Sequence, residues 1–156
     1  MIVVADTTPI NYLILIECIE LLPAMYGQIF IPHAVRDELL HGDAPPAVRA
    51  WANDPPAWLQ FLSPSTQAIA AIPELDPGET EAIALALELR ADWLLIDETA
   101  GRTEATRRGL QTVGTLGILR DAHRAGLLNL KTALQSLQVA GFYVSQSVIQ
   151  EVLNSV

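Results

Sequence analysis

Two short apolar runs that each stop at an aspartate constrain this chain most: Ile2–Ala5 before Asp6, and Trp93–Ile96 before Asp97. Neither is long enough for a helix, and neither alternates with polar residues, so each reads as a strand buried on both faces. Gln28–Ile31, Trp58–Leu62 and Leu110–Val113 are further β-like runs, with Trp58–Leu62 expected at an edge. Helical patterns lie between them. Thr8 is expected to cap a helix that starts at Pro9 and runs to about Leu22, where Pro23 stops it. Pro32 opens a helix through Val35 and Leu39 that ends near Gly42. Asp43–Pro56 has room for a short helix at about Pro46–Ala52, between prolines. From Gly78 to Arg90 the chain is apolar nearly all round, which marks a buried helix. Helices are also expected at Glu98–Arg108, Thr115–Arg124, Lys131–Val139 and Ser145–Asn154. Strands buried on both faces and alternating with helices predict an α/β fold around a mainly parallel sheet.

With 156 residues and no linker or repeat, one domain over residues 1–156 is expected, its last helices packing on the core or on a partner copy. Hydrophobic residues make up 51% of the chain and charged residues 17%, an apolar excess that suggests a homodimer. Cys18 is the single cysteine, which excludes an internal disulfide or a cysteine metal site and fits a reducing compartment. The N-terminus lacks the basic region of a signal peptide, and charges interrupt every longer apolar stretch. A cytoplasmic protein without membrane partners is the expectation. The net charge of -9 argues against a simple electrostatic grip on nucleic acid. Against that, Arg102, Arg107, Arg108, Arg120, Arg124 and Lys131 gather in the C-terminal third, mixed with Glu98, Glu104 and Asp121.

Asp6 and Asp97 stand where an open parallel sheet binds ligands, outside the carboxyl ends of its strands. An acid after a strand also serves as a helix cap, but Thr8-Pro9 already offers one beside Asp6. Asp76-Pro77-Gly78-Glu79 reads as a capping box, with Glu79 reaching back to Asp76. That gives both acids structural roles and leaves Glu81 without one, on an apolar stripe with Leu85 and Leu89. A carboxylate is costly there unless it meets a cation. Glu38 adds a fourth acid, though alone it would pass for a surface residue. Such an inventory suits a hard divalent ion, and with it the hydrolysis of phosphodiesters. No competing chemistry matches it: His33, His41 and His123 lack ligand spacing, and no nucleophile elbow or Walker loop is present.

Four segments in order carry a resemblance: Val-Val-Ala-Asp6-Thr7-Thr8-Pro9, Ile31-Pro32…Val35…Glu38-Leu39, Leu75-Asp76-Pro77-Gly78-Glu79-Thr80-Glu81-Ala82-Ile83, and Leu94-Leu95-Ile96-Asp97. Over nearly its whole length the chain resembles a PIN domain. It is similar to the VapC-related prokaryotic branch found as the toxin half of toxin–antitoxin pairs. The resemblance implies a three-layer α/β/α fold with four or five parallel strands in order 3-2-1-4-5. It implies magnesium- or manganese-dependent endoribonuclease activity, with Asp6, Glu38, Glu81 and Asp97 holding the metal and a small antitoxin protein as partner. Thr7 or Thr8 would orient Asp6, and Arg102 with Thr115 would contact the RNA. Many relatives carry Asp where Glu81 stands, and Glu98 could supply the further acid that often follows the fourth strand. The rival expectation is a catalytically silent PIN-like module that binds RNA or protein in the same cleft.

Overall fold

Short buried strands with helices between them leave the chain no antiparallel hairpin, and the sheet is built accordingly. The computed structural model describes residues 1–73 and 75–156. Strands β1 (Val3–Ala5), β2 (Ile29–Ile31), β3 (Leu59–Phe61), β4 (Trp93–Leu95) and β5 (Thr112–Val113) form one sheet. Its order is β3-β2-β1-β4-β5, and every pairing is parallel. The chain therefore winds outward from β1 to β3, then crosses back to β4 beside β1. Ala5 pairs with Leu95 at the carboxyl end of that central pair, and the Asp6 amide continues the ladder to the Leu95 carbonyl at 2.8 Å. Asp6 and Asp97 thus leave neighbouring strands at the point where strand order reverses.

The period of two along the strands divides the core. Val3, Ala5 and Leu95 face a cluster that includes Ile10 and Leu13 of helix α1 (Thr7–Leu15) and Ile118 and Leu119 of α8 (Thr115–Arg124). Val4, Leu94 and Ile96 face the other way, onto Ile83 and Leu85 of α6 (Pro77–Leu89). Helices cover both faces, giving three layers, α/β/α. Each of these fully buried Leu and Ile side chains contributes about 1.5–3 kcal/mol relative to exposure.

Most of the expected helices stand within a residue or two of their forecast ends: α3 (His33–Leu40), α4 (Pro46–Asn53), α7 (Thr99–Arg107), α9 (Leu130–Val139) and α10 (Gln146–Asn154). The first helix is the exception. It starts at Thr7, with Asp6 rather than Thr8 in the cap position, and it stops at Leu15. Glu17 adopts a left-handed conformation (φ 60°), which ends the helix before a second one, α2 (Leu21–Tyr26). Pro23 does not stop that helix but lies in its first turn, where a missing N–H breaks no helical bond. Helix α5 (Thr66–Ala70) has no counterpart in the sequence pattern, because none of its five residues is buried. Helices α9 and α10 pack onto α8 through Leu130, Leu134, Leu137 and Ile149, which extend the α1–α8 core of this same chain. Among the described residues no helix is long and apolar enough to cross a membrane.

Candidate active site

The reversal point of the sheet is crowded with acid. Asp6 holds the cap position of α1 with extended backbone (φ -83°, ψ 175°), yet its side chain caps nothing. It is 3% exposed, and its Oδ1 has no hydrogen-bond partner. Burial pushes its carboxyl up to about 7, helped by repulsion from Asp76, Glu38 and Asp97 and opposed by the Thr7 backbone amide. Asp97 is held more firmly. Thr115 donates its backbone N–H to Oδ1 at 2.9 Å and its hydroxyl to Oδ2 at 2.7 Å. Burial raises the Asp97 carboxyl, while the Thr115 bonds and the nearby Arg102 guanidinium pull it back down.

The first turn of α6 brings two more acids. Asp76 caps the helix, accepting from the Glu79 N–H at 2.8 Å. The expected return bond from the Glu79 side chain to the Asp76 amide is absent, which corrects the capping-box reading. Glu79 instead turns inward, 6% exposed, with Oε2 unpartnered. Burial and the neighbouring Asp76, Asp6 and Glu98 push its carboxyl up to about 8. From α3, Glu38 reaches the same turn with a buried and unpartnered Oε2. Its carboxyl is raised by burial and by Asp76 and Glu81, while the Thr7 hydroxyl favours its charge. Thr7 thus presents its backbone to Asp6, and its buried hydroxyl lies near Glu38 without a hydrogen-bond partner among the described residues.

Three glycines make these approaches possible. A Cβ on Gly78 would collide with the Glu38 carboxylate. One on Gly101 would lie 2.6 Å from Glu79 Oε2, and one on Gly114 would lie 2.8 Å from Asp97 Oδ1. Separations this short force something to move, so each glycine clears the place that one acid occupies.

Glu81, expected among these acids, lies close enough to Glu38 to raise that carboxyl, but one of its own oxygens is engaged elsewhere. Two residues past Glu79 is about 200° around a helix, and Glu81 Oε1 accepts the Ala34 N–H at 3.2 Å, in the first turn of α3. It secures the helix that carries Glu38. Glu79, read from the sequence as the capping partner of Asp76, turns inward instead; the helix start at Pro77 was legible, and the direction of this side chain was not.

Thr115 is also not where a substrate contact would be. It is fully buried, with both its donors committed to Asp97. Arg102, by contrast, is exposed and has no salt bridge among the described residues. Arg107 and Arg108, on the same helix, both donate to Glu104, and Arg108 also donates to the Ala71 carbonyl at 2.7 Å. Thr8, Asp97, Glu98 and Arg102 line a groove of about 520 Å³ that opens beside the acids.

The donors are all hard oxygens, the kind magnesium and manganese prefer, and buried unpartnered carboxylate oxygens call for a cation. In this arrangement no three acid, histidine or cysteine side chains among the described residues close on a single point. The chemistry of the set fits a divalent ion, and the side chains would have to draw together to hold one.

Fold and site define a doubly wound α/β protein with an acidic crevice at its switch point. The DUF3368 family model, described as a PIN domain, matches residues 2–156, and the chain belongs to that PIN-domain family. PIN domains are nucleases as a class, so the acidic crevice lies on a nuclease-type fold. A comparison with curated proteins finds no match.

Proposed function

We propose that this chain is a metal-dependent endoribonuclease whose acids Asp6, Glu38, Glu79 and Asp97 hold magnesium or manganese. The observation that carries the reading is the set of carboxylate oxygens, on Asp6, Glu38 and Glu79, buried with no hydrogen-bond donor. Repulsion among neighbouring acids raises their affinity for protons, and a divalent cation would relieve the same repulsion. Such an ion supplies an activated water and neutralises charge on the leaving oxygen of a phosphodiester. Thr115 fixes the orientation of Asp97 through two hydrogen bonds. Glu81 anchors α3, so that Glu38 keeps its place; this reading gives Glu79 the role first expected of Glu81. Arg102 faces the groove beside Asp97 and would contact a substrate phosphate.

The choice of RNA as substrate, a small antitoxin protein as partner and a cytoplasmic setting rest on the resemblance to the VapC-related branch. A homodimer draws support from the apolar composition and from Val139 (89% exposed) and Leu127 (47% exposed) on the C-terminal part of the chain. A second reading, the silent binding module, is favoured by one observation: the acids do not close on a single point.

Manganese titration and RNA cleavage separate the two. The native chain should bind the ion and cut RNA. Asp6→Asn should fold normally, lose divalent-ion binding and lose cleavage by orders of magnitude. It should also melt at a higher temperature in metal-free buffer at pH 8, because one of the crowded charges is gone. A fully active Asp6→Asn would end the nuclease assignment for this site. A native chain that binds RNA but neither binds manganese nor cleaves would establish the silent module.

A further inference from the structure

The groove that opens beside Asp97 does not end at the acids. The turn between α9 and α10 lines it as well, through Phe142 and Tyr143, together with Arg102. That turn is anchored. Gly141 takes a left-handed conformation (φ 98°) that reverses the chain after α9. The Phe142 N–H donates to the Leu137 carbonyl at 3.1 Å, and its ring meets Tyr12 edge to face, with centroids 5.0 Å apart and planes at 87°. Tyr12, on α1, lines the same groove. Phe142 is anchored, and the next residue, Tyr143, is 94% exposed in the lining of the groove.

A polyanion approaching this protein meets a net charge of -9. Among the described residues, Arg102 is the one cation lining the groove. Phosphate contacts supply most of the affinity in basic nucleic-acid-binding proteins, and here that source is nearly missing. Affinity must come from groups indifferent to charge. An aromatic face is such a group, since every base has a π-face to stack on it, and only an unpaired strand leaves a base free to do so.

We propose that Tyr143 is a stacking platform for a base of single-stranded RNA, seated a few nucleotides from the phosphate at the acids. The proposal rests on the nuclease reading and deepens it. Tyr143 binds and positions the strand and takes no part in the chemistry. Double-stranded RNA, whose bases are stacked on each other, is excluded from the platform.

The test measures binding of a fluorescently labelled single-stranded RNA of about a dozen nucleotides, in EDTA, across a series of salt concentrations. Tyr143→Ala should weaken binding by about 5- to 100-fold, the range for loss of one base–aromatic stack. Its salt slope should match that of the native chain, because no charge is lost. Tyr143→Phe should bind within about twofold of native. Arg102→Ala should lower the salt slope by about one phosphate contact. Cleavage in manganese should follow binding, with KM raised and kcat kept in Tyr143→Ala. The melting temperature should not move, since the side chain is in solvent.

Several outcomes overturn the platform alone. The native chain could cleave RNA while Tyr143→Ala binds and cleaves equally well. Tyr143→Phe could fail as badly as Tyr143→Ala, which would assign a hydroxyl contact. Tyr143→Ala could leave RNA binding intact but change the mass seen by light scattering, which would place Tyr143 between copies of the chain. If the native chain neither binds nor cuts RNA, the platform and the nuclease reading fall together.

Discussion

On α7, Glu104 bonds Arg107 and Arg108 at 2.6 Å each, and these partners hold its carboxyl below the usual range. On α6, which packs against α7, Glu79 is buried with an unpartnered oxygen, and that burial first, then its neighbours Asp76, Asp6 and Glu98, push its carboxyl to about 8. The two helices carry the same residue type and treat it in opposite ways. Glu104 and its arginines are a structural pairing at the surface edge, with Arg107 largely in solvent and Glu104 mostly covered, in which the charges satisfy one another. Glu79, with Asp6 and Glu38, is a set of acids that the fold brings together without satisfying. Strain of this sort persists where the surrounding structure enforces it, and it marks candidate functional sites.

The largest expected effect breaks or keeps that contrast at α6. Glu79→Gln should weaken manganese binding by at least about tenfold and cut RNA cleavage by orders of magnitude. Glu81→Ala should leave the metal affinity within a few-fold. It should cost about 1 kcal/mol of stability through the lost Ala34 bond at the start of α3, or about 2–4 °C in Tm. Calorimetric metal titration of both variants decides the matter; the reverse pattern would return the ligand role to Glu81.

The next effect is on pH dependence, and its sign differs between the two regions. Asp6 and Glu79 have carboxyls raised to about 7 and about 8 when folded. The unfolded chain gives up these protons near pH 4, so the stability they contribute is full below that point. It is lost as the pH rises towards 7 and 8. Metal-free Tm should therefore fall between pH 5 and pH 8, and saturating manganese should flatten or reverse the fall. A Tm that rises across this range without metal would contradict the crowded-acid reading.

The smallest effect belongs to Glu104. Its lowered carboxyl contributes stability above the ordinary carboxylate range, lost as the pH falls. Glu104→Gln should lower Tm slightly at pH 8, and less so in high salt, with metal binding and cleavage unchanged.

The two strand-end aspartates were legible because a short apolar run followed by an acid has few places to go in a parallel sheet. The inward turn of Glu79 was not. Glu79 and Glu81 lie on one helix whose start was legible, and which of them faces the crevice depends on how α6 is rotated over β1 and β4. The same limit explains Thr115, whose commitment to Asp97 needs β5 beside β4. It also explains α1 and α2, which read as one helix because the left-handed turn at Glu17 carries no glycine to announce it.

By itself the sequence determined the layering of the sheet, since apolar runs of strand length between helical patterns admit only a covered parallel sheet; its strand order was an expectation from the resemblance to PIN domains. It also determined that Asp6 and Asp97 end strands. Only the tertiary structure decided which carboxylates meet, and which arginine near them stays unpaired. Those choices depend on helix rotation and on clearances of a few ångströms at Gly78, Gly101 and Gly114. Local periodicity fixes the face an element buries, but not which residue of a neighbouring element lies opposite.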